Sequence, residues 1–176
     1  MKRFFGILLL YLFFTSCDDG TLLLEKFDFD STKPVEDCTV NNGLFFKTNG
    51  NEALLLQIPI TAFANEVTAE NNPRTFVINS TNKVIYRLFD ATVSSAYFCS
   101  LIPPATPKVS EEWVAKNGIS GVSGEIKITT TEITNPDTGE ITGYNHKIIF
   151  TAITFEKEEY SFVYEEYFFG NYTTSI

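Results

Sequence analysis

The sequence predicts an all-β domain: a single antiparallel β-sandwich or partly closed barrel with at most one or two short helices. Seventeen Phe and eight Tyr stand against one Trp and one Met, and aromatic side chains favour the pleated, half-buried surface of a strand. Apolar residues come in short alternating runs punctuated by Gly, Pro and Asn, which is strand periodicity with turn signals between. One run, 83–89, is apolar on both faces, with Val84, Tyr86 and Leu88 on one side and Ile85 and Phe89 on the other. Such a strand belongs to a sheet covered on both sides.

Taken in order, a first strand is expected at 22–29, with Leu22, Leu24, Phe27 and Phe29 facing inward. Strands follow at 44–47, 53–58, 74–79 and 83–89, with Asn79 to Asn82 as a polar hairpin loop between the last two. The C-terminal third holds strands at 125–133, 141–155 and 160–169. The first two of these flank Asn135-Pro136-Asp137-Thr138-Gly139, the strongest turn signal in the chain. Proline pre-sets the first central residue of a type I turn, and glycine supplies the left-handed residue of a bulged hairpin. Two stretches, 61–67 and 110–116, are candidate short helices.

The N-terminus reads differently. Met1, Lys2 and Arg3 form a basic head, and residues 4–14 an apolar run. That is the layout of an export signal, too short for the roughly 20 apolar residues that span a bilayer. Thr15-Ser16-Cys17 resembles the end of a lipobox, in a relaxed form with Phe14 where a smaller aliphatic is more common. The resemblance implies that residues 1–16 are removed and that Cys17 carries fatty acyl chains of the palmitate type. Residues 17–21 are then an acylated N-terminus and short tether, and 22–176 a single extracytoplasmic domain. Four tether residues reach at most about 14 Å, which keeps the domain near the bilayer. About 160 residues suffice for one domain that buries roughly two-thirds of its chain surface.

Removing Lys2 and Arg3 with the signal leaves 11 basic residues against 22 acidic, a formal net charge of −11. So acidic a chain lacks the footprint of a nucleic-acid binder and is repelled by anionic headgroups. Its membrane partner is the bilayer, held through two or more acyl chains. With Cys17 lipidated, Cys38 and Cys99 remain, and an isolated pair in an oxidising compartment is expected to form a disulfide.

No metal, cofactor or catalytic set is expected. The one histidine, His146, lies in a strand-like stretch, expected as a surface or cross-strand residue, and no Gly-x-Ser-x-Gly elbow accompanies it. The pairs Glu111/Glu112, Glu158/Glu159 and Glu165/Glu166 are sequence neighbours, which a strand sends to opposite faces. They cannot form the converging pair of a glycosidase alone. The acidic stretch 135–140 lacks the alternating oxygen ligands of a calcium loop. Tyr160, Phe162 and Tyr164 share one face of a strand and form a candidate binding face for a glycan or an envelope protein. The same alternation also fills a sandwich core. Asn79-Ser80-Thr81 and Asn171-Tyr172-Thr173 match glycosylation sequons but read as turn residues, and Asp30-Ser31-Thr32 resembles a short O-glycosylation motif.

The relaxed lipobox, the acidic start Asp18-Asp19-Gly20 and the aromatic, threonine-rich β body together resemble small surface lipoproteins of Bacteroidota-type bacteria. The resemblance implies an outer-membrane, lipid-anchored, cell-surface location, although aspartate after the cysteine implies inner-membrane retention in enteric-type bacteria. It lends no activity. The expected function is a non-enzymatic binding or envelope-organising module; the alternative is a carboxylate-based hydrolase acting on glycans.

Overall fold

The computed structural model describes residues 26–38 and 43–176. Cys17, the signal, the tether and the first part of the strand expected at 22–29 lie outside the described residues. Among those described, nine strands pair antiparallel in one sheet that is not closed. They are β1 (Glu36–Asp37), β2 (Leu44–Asn49), β3 (Glu52–Gln57), β4 (Arg74–Val77), β5 (Lys83–Phe89), β6 (Val109–Ala115), β7 (Glu125–Thr134), β8 (Ile141–Lys157) and β9 (Tyr160–Ser175). The strands run β1-β2-β3-β5-β6-β8-β7-β4, with β9 along the other edge of β8.

The long strand β8 is shared. Residues Ile141 to Thr151 pair with β7, whereas Phe155 and Glu156 pair with β6 on the same edge. The change of partner falls at Ala152, whose φ of 47° is left-handed, a conformation that costs a non-glycine residue roughly 1–2 kcal/mol. Here the carbonyl of Ala152 accepts from the Gly124 N–H at 2.9 Å and that of Thr154 from the Lys116 N–H at 2.8 Å. The bend folds the sheet over itself. Phe45, Leu54, Val84, Tyr86 and Trp113 from β2, β3, β5 and β6 thus share one core with Ile126, Ile148, Phe150, Phe155 and Phe169 from β7, β8 and β9.

A second, smaller core lies on the outer face of β2, β3 and β5. Phe46, Ala53, Leu55 and Phe89 are covered there by Cys38, Val93 and Phe98, the last in a single helical turn, α1 (Ser95–Phe98). The two-sided pattern of 83–89 is explained by these two cores: Val84 and Tyr86 enter the first, Phe89 and Ile85 the second.

Between the segment entering β1 and the outer edge of β9 the sheet stays open, crossed by one backbone bond from the Val35 N–H to the Asn171 carbonyl at 3.0 Å. Residues 26–35 run along this gap as an irregular strap, so the strand expected at 22–29 does not form over its described part. Phe27 and Phe29 nevertheless face inward and are buried in the main core. The strap carries its own backbone bonds to side chains: the Tyr164 hydroxyl donates to the Phe27 carbonyl at 2.6 Å, and the Phe29 N–H donates to the Tyr167 hydroxyl at 3.2 Å. Lys47, 2% exposed, donates from Nζ to the Asp30 carbonyl at 2.6 Å. Gly170 is required where the strap passes, since its φ is +149° and a Cβ would stand 2.7 Å from Val35 Cγ2.

Other expectations change too. Stretch 110–116 is strand β6, held by β5 and β8, and the 61–67 helix reduces to a 3-10 turn, Ile60–Phe63. The turn at Asn79 forms, with its carboxamide accepting from the N–H groups of Thr81 and Asn82 at 2.8 and 3.0 Å. It is no hairpin, however, because β4 pairs with β7 and β5 with β3 and β6. The turn at 135–139 forms as expected: the Gly139 N–H donates to the Asn135 carbonyl at 2.8 Å, and Gly139 takes φ +74°.

Cys38 and Cys99 are joined, with Cα atoms 5.2 Å apart and a sequence separation of 61. A loop of that size is expected to lose about 4 kcal/mol of stability in the double substitution Cys38→Ser/Cys99→Ser, by constraint of the unfolded chain. Urea unfolding measures the loss, and intact mass should rise by about 2 Da on reduction; an unchanged midpoint and mass would remove the bridge.

Candidate functional site

The outer face of β2, β3 and β5 is only partly covered by α1, and the uncovered part forms a groove. Two adjoining cavities of about 200 and 510 Å³ share Leu44, Arg87 and Phe98. Strand alternation places Leu55, Ile85 and Arg87 on this outer face, and all three line the smaller cavity. The wall is built by Tyr97 and Phe98 of α1, by Ser100, Leu101 and Pro103 of the following loop, and by Val109 at the start of β6. Arg87 donates from Nε to Glu112 on β6 at 2.6 Å, so the groove carries an ion pair at one side.

The loop from 100 to 108 is clamped at both ends. Cys99 ties it to Cys38 beside β1, and at the other end the Asp90 N–H donates to the Lys108 carbonyl at 3.0 Å while the Lys108 N–H donates to Asp90 Oδ1 at 2.9 Å. Three prolines, Pro103, Pro104 and Pro107, restrict the chain between. Against that restraint, Leu101 is 85% and Ile102 83% exposed, more than any other large apolar side chain among the described residues. Two aliphatic side chains are thus held out to solvent on a stiffened loop beside a groove of mixed polar and apolar lining. Sequence reasoning passed over it; the available signal was two adjacent aliphatics inside a proline-rich loop.

The residues singled out from the sequence are placed elsewhere. Tyr160 is 42% exposed at the start of β9. Phe162 stacks on Phe155 with centroids 5.2 Å apart and packs against Trp113, and Tyr164 is half-buried against Phe27 and Tyr167. Two of the three aromatics are therefore engaged with the core and the strap. Burial pushes the Tyr164 phenol well up and that of Tyr167 up to about 12, so both stay protonated and Tyr164 keeps its donor to the strap.

His146 is a cross-strand residue, in register with Thr130 of β7, but it is fully buried and not at the surface, and both of its ring nitrogens are occupied. Arg74 donates from Nη1 to Thr130 Oγ1 at 2.7 Å, and Thr130 Oγ1 lies 2.9 Å from His146 Nδ1. On the other side Nε2 lies 3.0 Å from Thr174 Oγ1, which donates to Asn65 Oδ1 at 2.5 Å. The donor order assigns a neutral ring, with the proton on Nε2 and Nδ1 accepting from Thr130. Arg74 also donates to the carbonyls of Ala64 and Glu66, so the chain of bonds ties the 64–68 loop to β4, β7, β8 and β9. Burial, reinforced by the Arg74 charge, lowers the imidazole to about 4.

The carboxylate pairs do not converge. Glu112 pairs with Arg87 on the outer face, while Glu111 accepts from Trp113 Nε1 at 3.3 Å and pairs with Lys157 at 3.1 Å. Glu165 and Glu166 are exposed. Among the described residues no group of three or more His, Cys, Asp or Glu side chains could hold a metal ion, and no helix is long and apolar enough to cross a membrane. These features define the chain as an all-β, disulfide-linked protein with a groove on the outer face of its sheet. No protein-family model, no curated protein and no solved structure matches it.

Tyr164→Phe is expected to destabilise the domain by about 1–2 kcal/mol, because it strands the Phe27 carbonyl. Limited proteolysis should then cut first within 26–35; unchanged stability and cutting pattern would show that the strap is not held there. The His146 ring binds fewer protons folded than unfolded between pH 6.5 and about 4. Its contribution is thus complete above pH 6.5 and lost as pH falls toward 4, by roughly 3 kcal/mol in total. The difference in unfolding free energy between wild type and His146→Gln should shrink across that window, and a difference independent of pH would contradict the neutral buried ring.

Proposed function

We propose that the protein is a membrane-anchored extracytoplasmic lipoprotein of the outer membrane, exposed at the cell surface, that works as a non-enzymatic binding module. The single observation that carries the binding reading is the groove on the outer face with Leu101 and Ile102 exposed at its wall. Anchoring is supported by the basic head, the eleven-residue apolar run and Cys17. A strap reaching the core within ten residues of Cys17 suits a domain held near its lipid.

A binding role also fits the chemistry of the polar groups. The imidazole spends both nitrogens on Thr130 and Thr174, so it is not left as a free base beside a nucleophile.

Cys17→Ser is expected to move the protein from the membrane to the soluble fraction and to abolish labelling by a fatty-acid analogue. Retention of either the label or the membrane association would sink the anchor.

A further inference from the structure

Residues 91–110 contain no aspartate or glutamate and a single charge, Lys108, in a chain whose acidic residues outnumber its basic ones 22 to 13. This stretch comprises α1 and the whole exposed loop, so the one wall of the groove built outside the sheet is also free of acid. From this coincidence we infer that the loop's apolar tip, Leu101 and Ile102, inserts into the headgroup boundary of the bilayer and turns the groove toward the lipid. The inference rests on the anchored reading above and names the partner of that same site.

Three features fit this occupant. An acidic body is held away from anionic headgroups, whereas the loop itself carries no acid, and at its foot Asp90 stands beside Lys108 while Glu112 is paired with Arg87. Lys108 is exposed at the foot of the loop, where an ammonium meets phosphate while neighbouring aliphatics enter the acyl boundary. The clamps at Cys99 and Asp90 hold the tip out before contact, so little ordering accompanies insertion.

The test uses full-length chain expressed and processed in cells, purified from their membranes and reconstituted into phosphatidylethanolamine vesicles with a minority of phosphatidylglycerol. Ile102→Trp is compared with Val122→Trp, a control on a separate loop at a position 69% exposed. The native Trp113 is buried and reports that the fold is intact. Lipid brominated on its acyl chains should quench the residue at 102 about twofold or more beyond the one at 122, as insertion to acyl depth requires. Equal quenching at both positions, or none at either, overturns the contact. A blue-shifted residue at 102 in native membranes that bromine leaves unquenched also overturns it, in favour of a protein partner. Mass of the Cys17 peptide is read on the same preparation. Acylated Cys17 without quenching removes the loop contact and leaves the anchor standing. Unmodified Cys17 removes the anchor, and quenching at 102 on simple mixing with vesicles then decides the loop contact separately.

Discussion

The domain depends on one strand doing two jobs. Strand β8 gives one edge to β9 along nearly its whole length and divides the other between β7 and β6. A single flat sheet could bury only one face of its aromatics; the bend at Ala152 brings the two halves of the sheet onto a shared core. The left-handed residue is held by what surrounds it. The carbonyls of Ala152 and Thr154 are taken by Gly124 and Lys116, and Ile153, fully buried, pins the chain from inside. Buried carbonyls with partners are how a locally unfavourable backbone persists.

Folding the sheet over leaves a gap, and the gap accounts for the aromatic richness of both chain ends. Phe27 stacks on Tyr86 with centroids 4.5 Å apart and meets Phe155, Phe162 and Tyr167 edge-on. The strap is therefore part of the core and not a tail. Its polar backbone has no sheet partner over 27–30, so tyrosine hydroxyls and the Lys47 ammonium take that place. Burial pulls the Lys47 pKa down while Asp30 opposes the shift. An ammonium in that position is tolerated because a carbonyl dipole receives it and its methylene stem packs with the core.

How much of this was legible follows the range of the interactions. The two-sided strand 83–89 and the turn at 135–139 are local patterns, and both are read off the sequence because alternation and turn chemistry are decided by near neighbours. Strand β6 was not, since Glu111, Glu112 and Ala115 are good helix formers and only pairing with β5 and β8 makes the segment extended. Alternation puts His146 on the face of Tyr144, Ile148 and Phe150 and so pointed inward, but its bonding partners Thr130 and Thr174 stand 16 and 28 residues away and could not be read locally. Alternation marked Phe27 and Phe29 as inward but could not distinguish a strand from a strap that fills a gap. The groove was invisible because its floor comes from three strands and its wall from a loop of weak local pattern.

The disulfide gains a second meaning from this arrangement. The strap leads into β1, Cys38 follows β1 directly, and Cys38 is joined to Cys99 at the root of the exposed loop. A covalent path therefore runs from the core-embedded strap to the loop tip without crossing the sheet. In the proposed anchored state, a pull on Cys17 enters at Phe27, where the surrounding aromatic cluster resists it, and the loop holds its position relative to that entry point through the bridge. Reducing the bridge would leave the core largely intact, since the main cluster contains neither cysteine. What it would release is the second, smaller core of Cys38, Phe46, Phe89 and Phe98, on which the wall of the groove stands. The bridge thus serves the shape of the outer surface more than the cohesion of the interior, which is the distribution expected where a stiff loop must be presented to a partner.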